Sequence, residues 1–221
     1  MNITVYGDSI LKGVLLEDGK YKINRSFEQC LAEESGSTIR NKAHFGSTIG
    51  KAMGLIEKDC ALPGAGETAL LEFGGNDCDY DWKAIAADPA GSHVCKTPPE
   101  DFARAYRRAI RLLSESGRSP LVLTLPPIHA ERYFRFICRD GLSRSSILAW
   151  LGDVDAIYRW QRTYSELAAE IAREEGAPVV DLRRVFRLDG RSMEELLCLD
   201  GIHPSRAGQG LICRSIAEAL G

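Results

Sequence analysis

The chain has 221 residues, with 28 Lys and Arg against 31 Asp and Glu, so its formal net charge is −3 at pH 7. This length allows one well-buried core, and no linker rich in Pro, Gly or Ser divides the sequence, so we predict a single domain over residues 1–221. The small net charge and the lack of a basic tract argue against nucleic acid as a partner.

Five short runs rich in β-branched residues or leucine predict strands. They cover residues 3–6, 38–40, 68–73, 120–125 and 178–182. The first, third and fourth runs are almost continuously apolar, which is typical of parallel strands covered by helices on both faces. Because strands alternate with segments of helical periodicity, we predict the α/β class and a three-layer α/β/α sandwich with right-handed crossovers.

Segments with helical periodicity lie between these runs. A first helix is predicted to open at Ser9, with Ile10, Leu11, Val14 and Leu15 as its apolar positions. Longer helices are predicted over about 97–117 and 153–175, each followed or closed by a glycine. A final helix is predicted to begin near Ser205.

Two connections are long and rich in aromatic residues, near 78–96 and 128–153. Both follow the carboxyl ends of predicted strands, where open α/β sheets place their ligand crevice. We therefore expect these insertions to wall or cover that crevice. Ser9 and Asn76 also follow predicted strands, so both are expected at the same edge of the sheet.

A candidate nucleophile and a candidate base occur at opposite ends of the chain. Ser9 follows the first strand, and a serine hydroxyl needs a base to accept its proton before it can attack. Asp200 and His203 fit that need, because an imidazole accepts a proton at neutral pH and a carboxylate fixes its tautomer. Taken alone, Ser9 fits a helix N-cap equally well, and Asp-x-x-His is a common pattern.

Two further positions are candidates for stabilising an oxyanion. The Asn76 side-chain amide can donate to a developing negative charge, and Gly46 can offer a backbone N–H with no side chain in the way. Each also fits an ordinary turn residue when taken alone. The candidate nucleophile, base and oxyanion donors indicate a catalytic site only when their order along the chain is considered together.

That order resembles one known family. Four segments resemble the successive blocks of the SGNH (GDSL-type) hydrolases: Gly7-Asp8-Ser9-Ile10, Asn41 through Gly46 with Thr48, Gly74-Gly75-Asn76-Asp77, and Asp200-Gly201-Ile202-His203-Pro204. The resemblance covers essentially the whole chain. It implies a flavodoxin-like fold with five parallel strands, and neither a metal nor an organic cofactor.

The resemblance also implies a role for each matching position. Ser9 would be the nucleophile, His203 the general base and Asp200 its orienting acid. The N–H groups of Ser9 and Gly46 and the Asn76 amide would form the oxyanion hole. His44 and Phe45 stand where the family commonly has small residues, a difference that would narrow the site.

Candidates for substrate contact are less specific. Tyr80 and Trp82 follow the candidate oxyanion asparagine and could stack on a sugar, cover an acyl chain or simply anchor a loop. His129 follows the fourth strand and could reach the crevice or serve only its loop. The full set of candidates is Asp8, His44, Tyr80, Trp82 and His129.

The function predicted is a serine hydrolase that cleaves short acyl esters, for example acetyl esters of carbohydrates or other small alcohols, through an acyl-enzyme. A thioesterase or lysophospholipase-type acyl hydrolase is the alternative, and a non-catalytic ligand-binding protein is a third interpretation. The partner expected is a small-molecule acyl ester. The aromatic residues of 128–160 could also form an interface between copies of the chain, so a homo-oligomer is a second expectation.

The compartment is predicted from cysteine usage and from the lack of targeting segments. Seven scattered cysteines without a Cys-x-x-Cys pair argue against a disulfide framework or a structural zinc site. No apolar stretch approaches the ~20 residues of a membrane span, and strand-like sequence begins at Ile3, where a signal peptide would lie. We therefore predict a cytoplasmic protein without a membrane span.

Overall fold

The computed structural model describes residues 1–221 and contains seven strands and ten α-helices. The strands are β1 (Asn2–Gly7), β2 (Val14–Glu17), β3 (Lys20–Ile23), β4 (Thr38–Asn41), β5 (Glu67–Glu72), β6 (Ser119–Leu123) and β7 (Val179–Val180). The helices are α1 (Arg25–Ser35), α2 (Ile49–Cys60), α3 (Trp82–Ala87), α4 (Pro99–Glu115), α5 (Ala130–Ile137), α6 (Arg144–Leu151), α7 (Asp155–Glu174), α8 (Leu182–Leu188), α9 (Met193–Leu196) and α10 (Arg206–Leu220). A single 3₁₀ turn, Cys138–Asp140, follows α5.

Five strands form one parallel sheet in the order β4-β1-β5-β6-β7. Counted along the sheet's own strands this is the order 2-1-3-4-5 of flavodoxin-like folds. The predicted α/β/α sandwich with five parallel strands is therefore confirmed. The chain order reverses between β1 and β5, which is where such sheets form their ligand crevice.

Helices cover both faces of the sheet because its strands are apolar on both sides. On β5, Ala69 and Leu71 pack into one core with α2, α4 and α7. Leu70 faces the opposite core, which is formed with α1, α8, α9 and α10. Alternate residues of one strand thus enter two separate cores, as the period of two requires.

The segment after Ser9 differs from the prediction. Residues 9–13 form a turn, with the Lys12 N–H donating to the Asp8 carbonyl over 3.0 Å, and the chain then enters the β2–β3 hairpin instead of a helix. Asp18 and Gly19, at the tip, both have positive φ (53° and 71°), as a type I′ turn requires. The apolar residues that suggested one face of a helix are buried, but they lie in the turn and in β2.

The two aromatic insertions fold into short helices beside the carboxyl edge of the sheet. The first contains α3, and the second contains α5, the 3₁₀ turn and α6. They share a small apolar cluster that includes Ile85, Phe134 and Ile147. None of the ten helices combines the length and the apolar character that a membrane span needs. The assignment of the whole chain to one domain stays a prediction.

Candidate active site

Ser9, His203 and Asp200 form one hydrogen-bonded chain at the carboxyl edge of the sheet. Ser9 lies two residues beyond β1, and its Oγ is 2.9 Å from His203 Nε2. His203 Nδ1 is in turn 2.7 Å from Asp200 Oδ2. With the proton on Nδ1 donated to the carboxylate, Nε2 is left to accept the serine hydroxyl proton. This arrangement is able to activate a serine for attack.

Buried hydrogen bonds hold Asp200 as a carboxylate. The carboxyl is fully buried, and its Oδ1 accepts the N–H groups of Ile202 and His203, each over 3.1 Å. Burial acts to raise the pKa of Asp200, but the hydrogen bond and charge of His203 and these two N–H groups outweigh it. The pKa therefore lies below its ordinary value, and Asp200 stays ionised opposite the imidazole.

Three N–H donors face the same crevice. The backbone N–H groups of Ser9 and Gly46 donate to no acceptor within the protein, and both residues line the cavity described below. One hydrogen of Asn76 Nδ2 goes to Asp8 Oδ2 over 2.9 Å, which leaves the other free, since an amide nitrogen carries two. The three donors are suited to hold a negatively charged oxygen.

The triad opens onto a cavity of about 260 Å³ whose walls are mostly apolar. Both insertions contribute to it, and Asp79 links them by accepting the indole N–H of Trp82 and the hydroxyl of Tyr133, each over 2.9 Å. The predicted contact residues Asp8, Tyr80 and Trp82 lie in the lining. The aromatic lining residues are Tyr21, Phe45, Tyr80, Trp82, Tyr133, Phe136 and Trp160.

A family model describes almost the whole chain. The model of the GDSL-like lipase/acylhydrolase family matches residues 5–211, a span that contains the serine, asparagine, aspartate and histidine just described. The chain belongs to this family. It is therefore an ester-hydrolysing enzyme of the SGNH type, as the sequence motifs predicted. Among curated proteins, none has a significantly similar sequence.

Solved structures share the fold of this SGNH hydrolase at low identity. A candidate SGNH hydrolase from Slackia heliotrinireducens is 21% identical, with a TM-score of 0.68 over 100% of this chain and 99% of that one. A lipase/acylhydrolase from Enterococcus faecalis is 18% identical, with a TM-score of 0.63 over 100% and 95%. An acetylxylan esterase from Geobacillus stearothermophilus is 16% identical, with a TM-score of 0.67 over 100% and 94%.

Aromatic side chains surround the His203 imidazole of this SGNH hydrolase; Phe45 was expected to narrow the site, whereas Tyr21 and Phe136 were missed by the sequence analysis. The Tyr21 ring lies 5.0 Å from the His203 ring, and Phe45 stacks parallel to His203 at 6.1 Å. Phe136, from the second insertion, approaches Tyr21 at 6.2 Å. The dipeptide Asp18-Gly19 was the available signal for Tyr21, because it is typical of a hairpin turn.

Both histidines proposed to contact substrate lie elsewhere in this SGNH hydrolase. The His44 side chain is exposed and absent from the cavity lining, and its backbone N–H donates to the Gly7 carbonyl. His129 occupies the position just before α5, and its Nε2 lies 2.9 Å from a carboxylate oxygen of Glu194. The structure thus brings neither ring to the cavity.

No group of three or more His, Cys, Asp or Glu side chains is placed to hold a metal ion. All seven cysteines of the family member are free thiols. The expectations of no cofactor, no metal and a cytoplasmic location stay predictions.

The loop of this SGNH hydrolase that contains Gly201 approaches the start of α5 closely. The φ of Gly201 is +76°, and a Cβ there would lie 2.6 Å from the His129 carbonyl oxygen and 2.8 Å from Tyr133 N. We expect Gly201→Ala to lower the free energy of unfolding by at least about 2 kcal/mol, because backbone strain and a clash add. Because Asp200 and His203 flank this loop, kcat should fall as well.

Gly190→Ala is the matched control, since Gly190 also has positive φ (+89°) but open space around its missing Cβ. This substitution should lower the free energy of unfolding by about 1 kcal/mol, from backbone strain alone, and leave kcat unchanged. Thermal unfolding and ester hydrolysis of both variants measure the difference. Equal losses of stability in the two variants would contradict the close approach at Gly201.

Proposed function

We propose that this enzyme is a serine esterase that acts through an acyl-enzyme on Ser9. The observation that carries the proposal is the continuous hydrogen-bonded chain from Ser9 Oγ through His203 to Asp200. The three unoccupied N–H donors beside Ser9 support it, because acyl transfer builds negative charge on the carbonyl oxygen.

In the acylation half-reaction, Ser9 Oγ attacks the ester carbonyl carbon while His203 Nε2 takes its proton. The oxyanion of the tetrahedral intermediate is held by the N–H groups of Ser9 and Gly46 and by the Asn76 amide. Asp200 stabilises the imidazolium that forms. The intermediate collapses when His203 protonates the leaving alkoxide, so the alcohol departs and the acyl group stays on Ser9.

Deacylation repeats these steps with water in place of serine. His203 takes a proton from the water as it attacks the acyl carbon, and the same donors hold the second oxyanion. The proton returns to Ser9 Oγ as the acid leaves.

The substrate proposed is a short acyl ester, such as an acetyl ester, of a carbohydrate or another small polar alcohol. The cavity of about 260 Å³ supports a small substrate, since it falls just below the ~300–1,000 Å³ of common ligand pockets. Its aromatic walls include Tyr80 and Trp82, whose ring faces suit either a sugar or a short acyl chain. The fold is also similar to that of an acetylxylan esterase, which is consistent with an acetylated carbohydrate as substrate.

A panel of p-nitrophenyl esters from acetate to decanoate tests this substrate class. We expect kcat/KM for acetate and butyrate to exceed that for decanoate by at least about tenfold, because methylenes that find no room in the site lose binding to the transition state. A matching panel of acyl-CoA thioesters, read with a thiol reagent, tests the thioesterase alternative.

Preference for octanoate or longer esters would contradict the short-acyl assignment and favour a lysophospholipase-type activity. Faster hydrolysis of the thioesters would favour a thioesterase. Binding of esters without any turnover would favour the non-catalytic interpretation. The cytoplasmic location, the lack of a nucleic-acid partner and the possible homo-oligomer stay predictions beside this proposal.

A further inference from the structure

Glu72 is a buried acid that the mechanism above leaves unused. It is the last residue of β5, is fully buried, and is among the residues that line the cavity. Neither of its carboxyl oxygens accepts a hydrogen bond from any group of the protein. By contrast, the buried acid Asp77 accepts the N–H of Ile49. An ionised carboxylate without a partner in such a place is strongly disfavoured, so Glu72 is expected to hold a proton.

Asp8 is the neighbour that can accept a hydrogen bond from the protonated Glu72. Glu72 pairs with Gly7 across β5 and β1, so Asp8 is the next residue beyond the paired strands, and the two carboxyl groups are close enough for each to shift the pKa of the other. Burial raises the pKa of Glu72 well above its ordinary value, and the adjacent charge of Asp8 raises it further. Burial also raises the pKa of Asp8, but N–H groups of Ile10 and Asn76 bind its carboxylate and oppose that rise. The proton therefore belongs on Glu72 and the charge on Asp8.

Asp8 connects this pair to the oxyanion site. Its Oδ1 accepts the Ile10 N–H and its Oδ2 accepts Asn76 Nδ2, both over 2.9 Å. The second bond sets the rotation of the Asn76 amide and so the direction of its free N–H. Any group that fixes the Asp8 carboxylate also fixes the donor of the oxyanion hole.

We propose that Glu72 is a positioning residue which, as a neutral acid, donates a hydrogen bond to the Asp8 carboxylate and thereby holds Asn76 aimed at the substrate carbonyl oxygen. This inference rests on the proposed function and adds a layer of residues behind the site. The shared proton also limits the pair to one negative charge. Two charges beneath the oxyanion would oppose the charge that forms there.

Two substitutions of Glu72 distinguish the effect of its hydrogen-bond donor from the effect of its side-chain volume. Glu72→Gln keeps the shape and supplies an N–H donor to Asp8, whereas Glu72→Met keeps the bulk without a donor. We expect Glu72→Met to lower kcat by about 10- to 100-fold with KM changed less than about twofold, because misaiming one oxyanion donor costs less than deleting it. Glu72→Gln should recover most of that loss.

Infrared spectroscopy gives a readout that needs no turnover. The difference spectrum between wild type and Glu72→Gln at neutral pH should contain the C=O stretching band of a protonated carboxylic acid. Because this band is independent of hydrolysis, it distinguishes failure of this inference from failure of the proposed function, which ester hydrolysis by wild type and Ser9→Ala decides separately.

Absence of the carboxylic acid band would overturn the inference. So would a Glu72→Met enzyme with wild-type kcat, or a Glu72→Gln enzyme that is folded but as slow as Glu72→Met. If Glu72→Met fails to fold, the infrared band and the kcat of Glu72→Gln still decide.

Discussion

Ser9→Ala is expected to abolish ester hydrolysis, with kcat for p-nitrophenyl acetate lower by at least about 10⁴-fold. The reason is that alanine leaves no oxygen to form the acyl-enzyme, whereas the N–H donors of the oxyanion site stay in place. KM should change little, because the lost hydroxyl acts mainly in the transition state. Initial rates at neutral pH, with thermal unfolding to verify the fold, measure the effect.

Ser215→Ala is the matched control for this experiment. Ser215 is as buried as Ser9, at 7% exposure against 8%, but its Oγ donates to the Leu211 carbonyl within α10, away from the cavity. Its kcat should equal that of the wild type. Retention of activity by Ser9→Ala would remove Ser9 as the nucleophile, and equal losses in both variants would indicate a general effect on folding.

Asp200→Asn is expected to produce the second-largest loss, of the order of 10³- to 10⁴-fold in kcat. An asparagine amide turned toward His203 Nδ1 donates a hydrogen, so the imidazole carries its own proton on Nε2 and cannot accept one from Ser9. Substrate binding should be retained, because Asp200 lies behind the imidazole and does not line the cavity. Steady-state kinetics on p-nitrophenyl acetate separate kcat from KM.

The pH profile adds a second test of the same residue. Because the pKa of Asp200 is held below its ordinary value, its carboxylate stays ionised in mild acid, and the acid-side loss of kcat/KM in the wild type belongs to protonation of His203. Asp189→Asn is the control for Asp200→Asn and should keep the kcat of the wild type, since the Asp189 carboxylate pairs with Arg191 outside the cavity. An Asp200→Asn enzyme within tenfold of the wild type, or a flat wild-type profile between about pH 5 and 8, would contradict these roles.

The candidate site residues were predictable because each lies next to a feature that is local in sequence. Ser9 follows the apolar run of β1, and Asn76 follows that of β5. Parallel strands bring their carboxyl ends to one edge, so chain order alone places these two residues together. Asp200 and His203 are three positions apart, so one tight turn is enough to join them.

The segment after Ser9 was mispredicted because its pattern of apolar residues suits two structures. Ile10, Leu11, Val14 and Leu15 are all buried, as a helical face would be, but they lie in a turn and in β2. Gly13 has a φ of +73° and ends the turn, and Asp18-Gly19 reverses the chain. Burial against residues far along the chain outweighed the helical periodicity.

The sequence by itself determined the five strands of the parallel sheet, the candidate reactive side chains and the family, because these depend on residue type and on spacing along the chain. Only the tertiary structure decided what surrounds the reactive atoms. The packing of Tyr21 and Phe45 against His203 joins residues from different elements, and so does the approach of Glu72 to Asp8 beside the pairing of β1 with β5. The protonation of a carboxyl group depends on burial and on neighbouring charges, and both are set by contacts that no local spacing encodes.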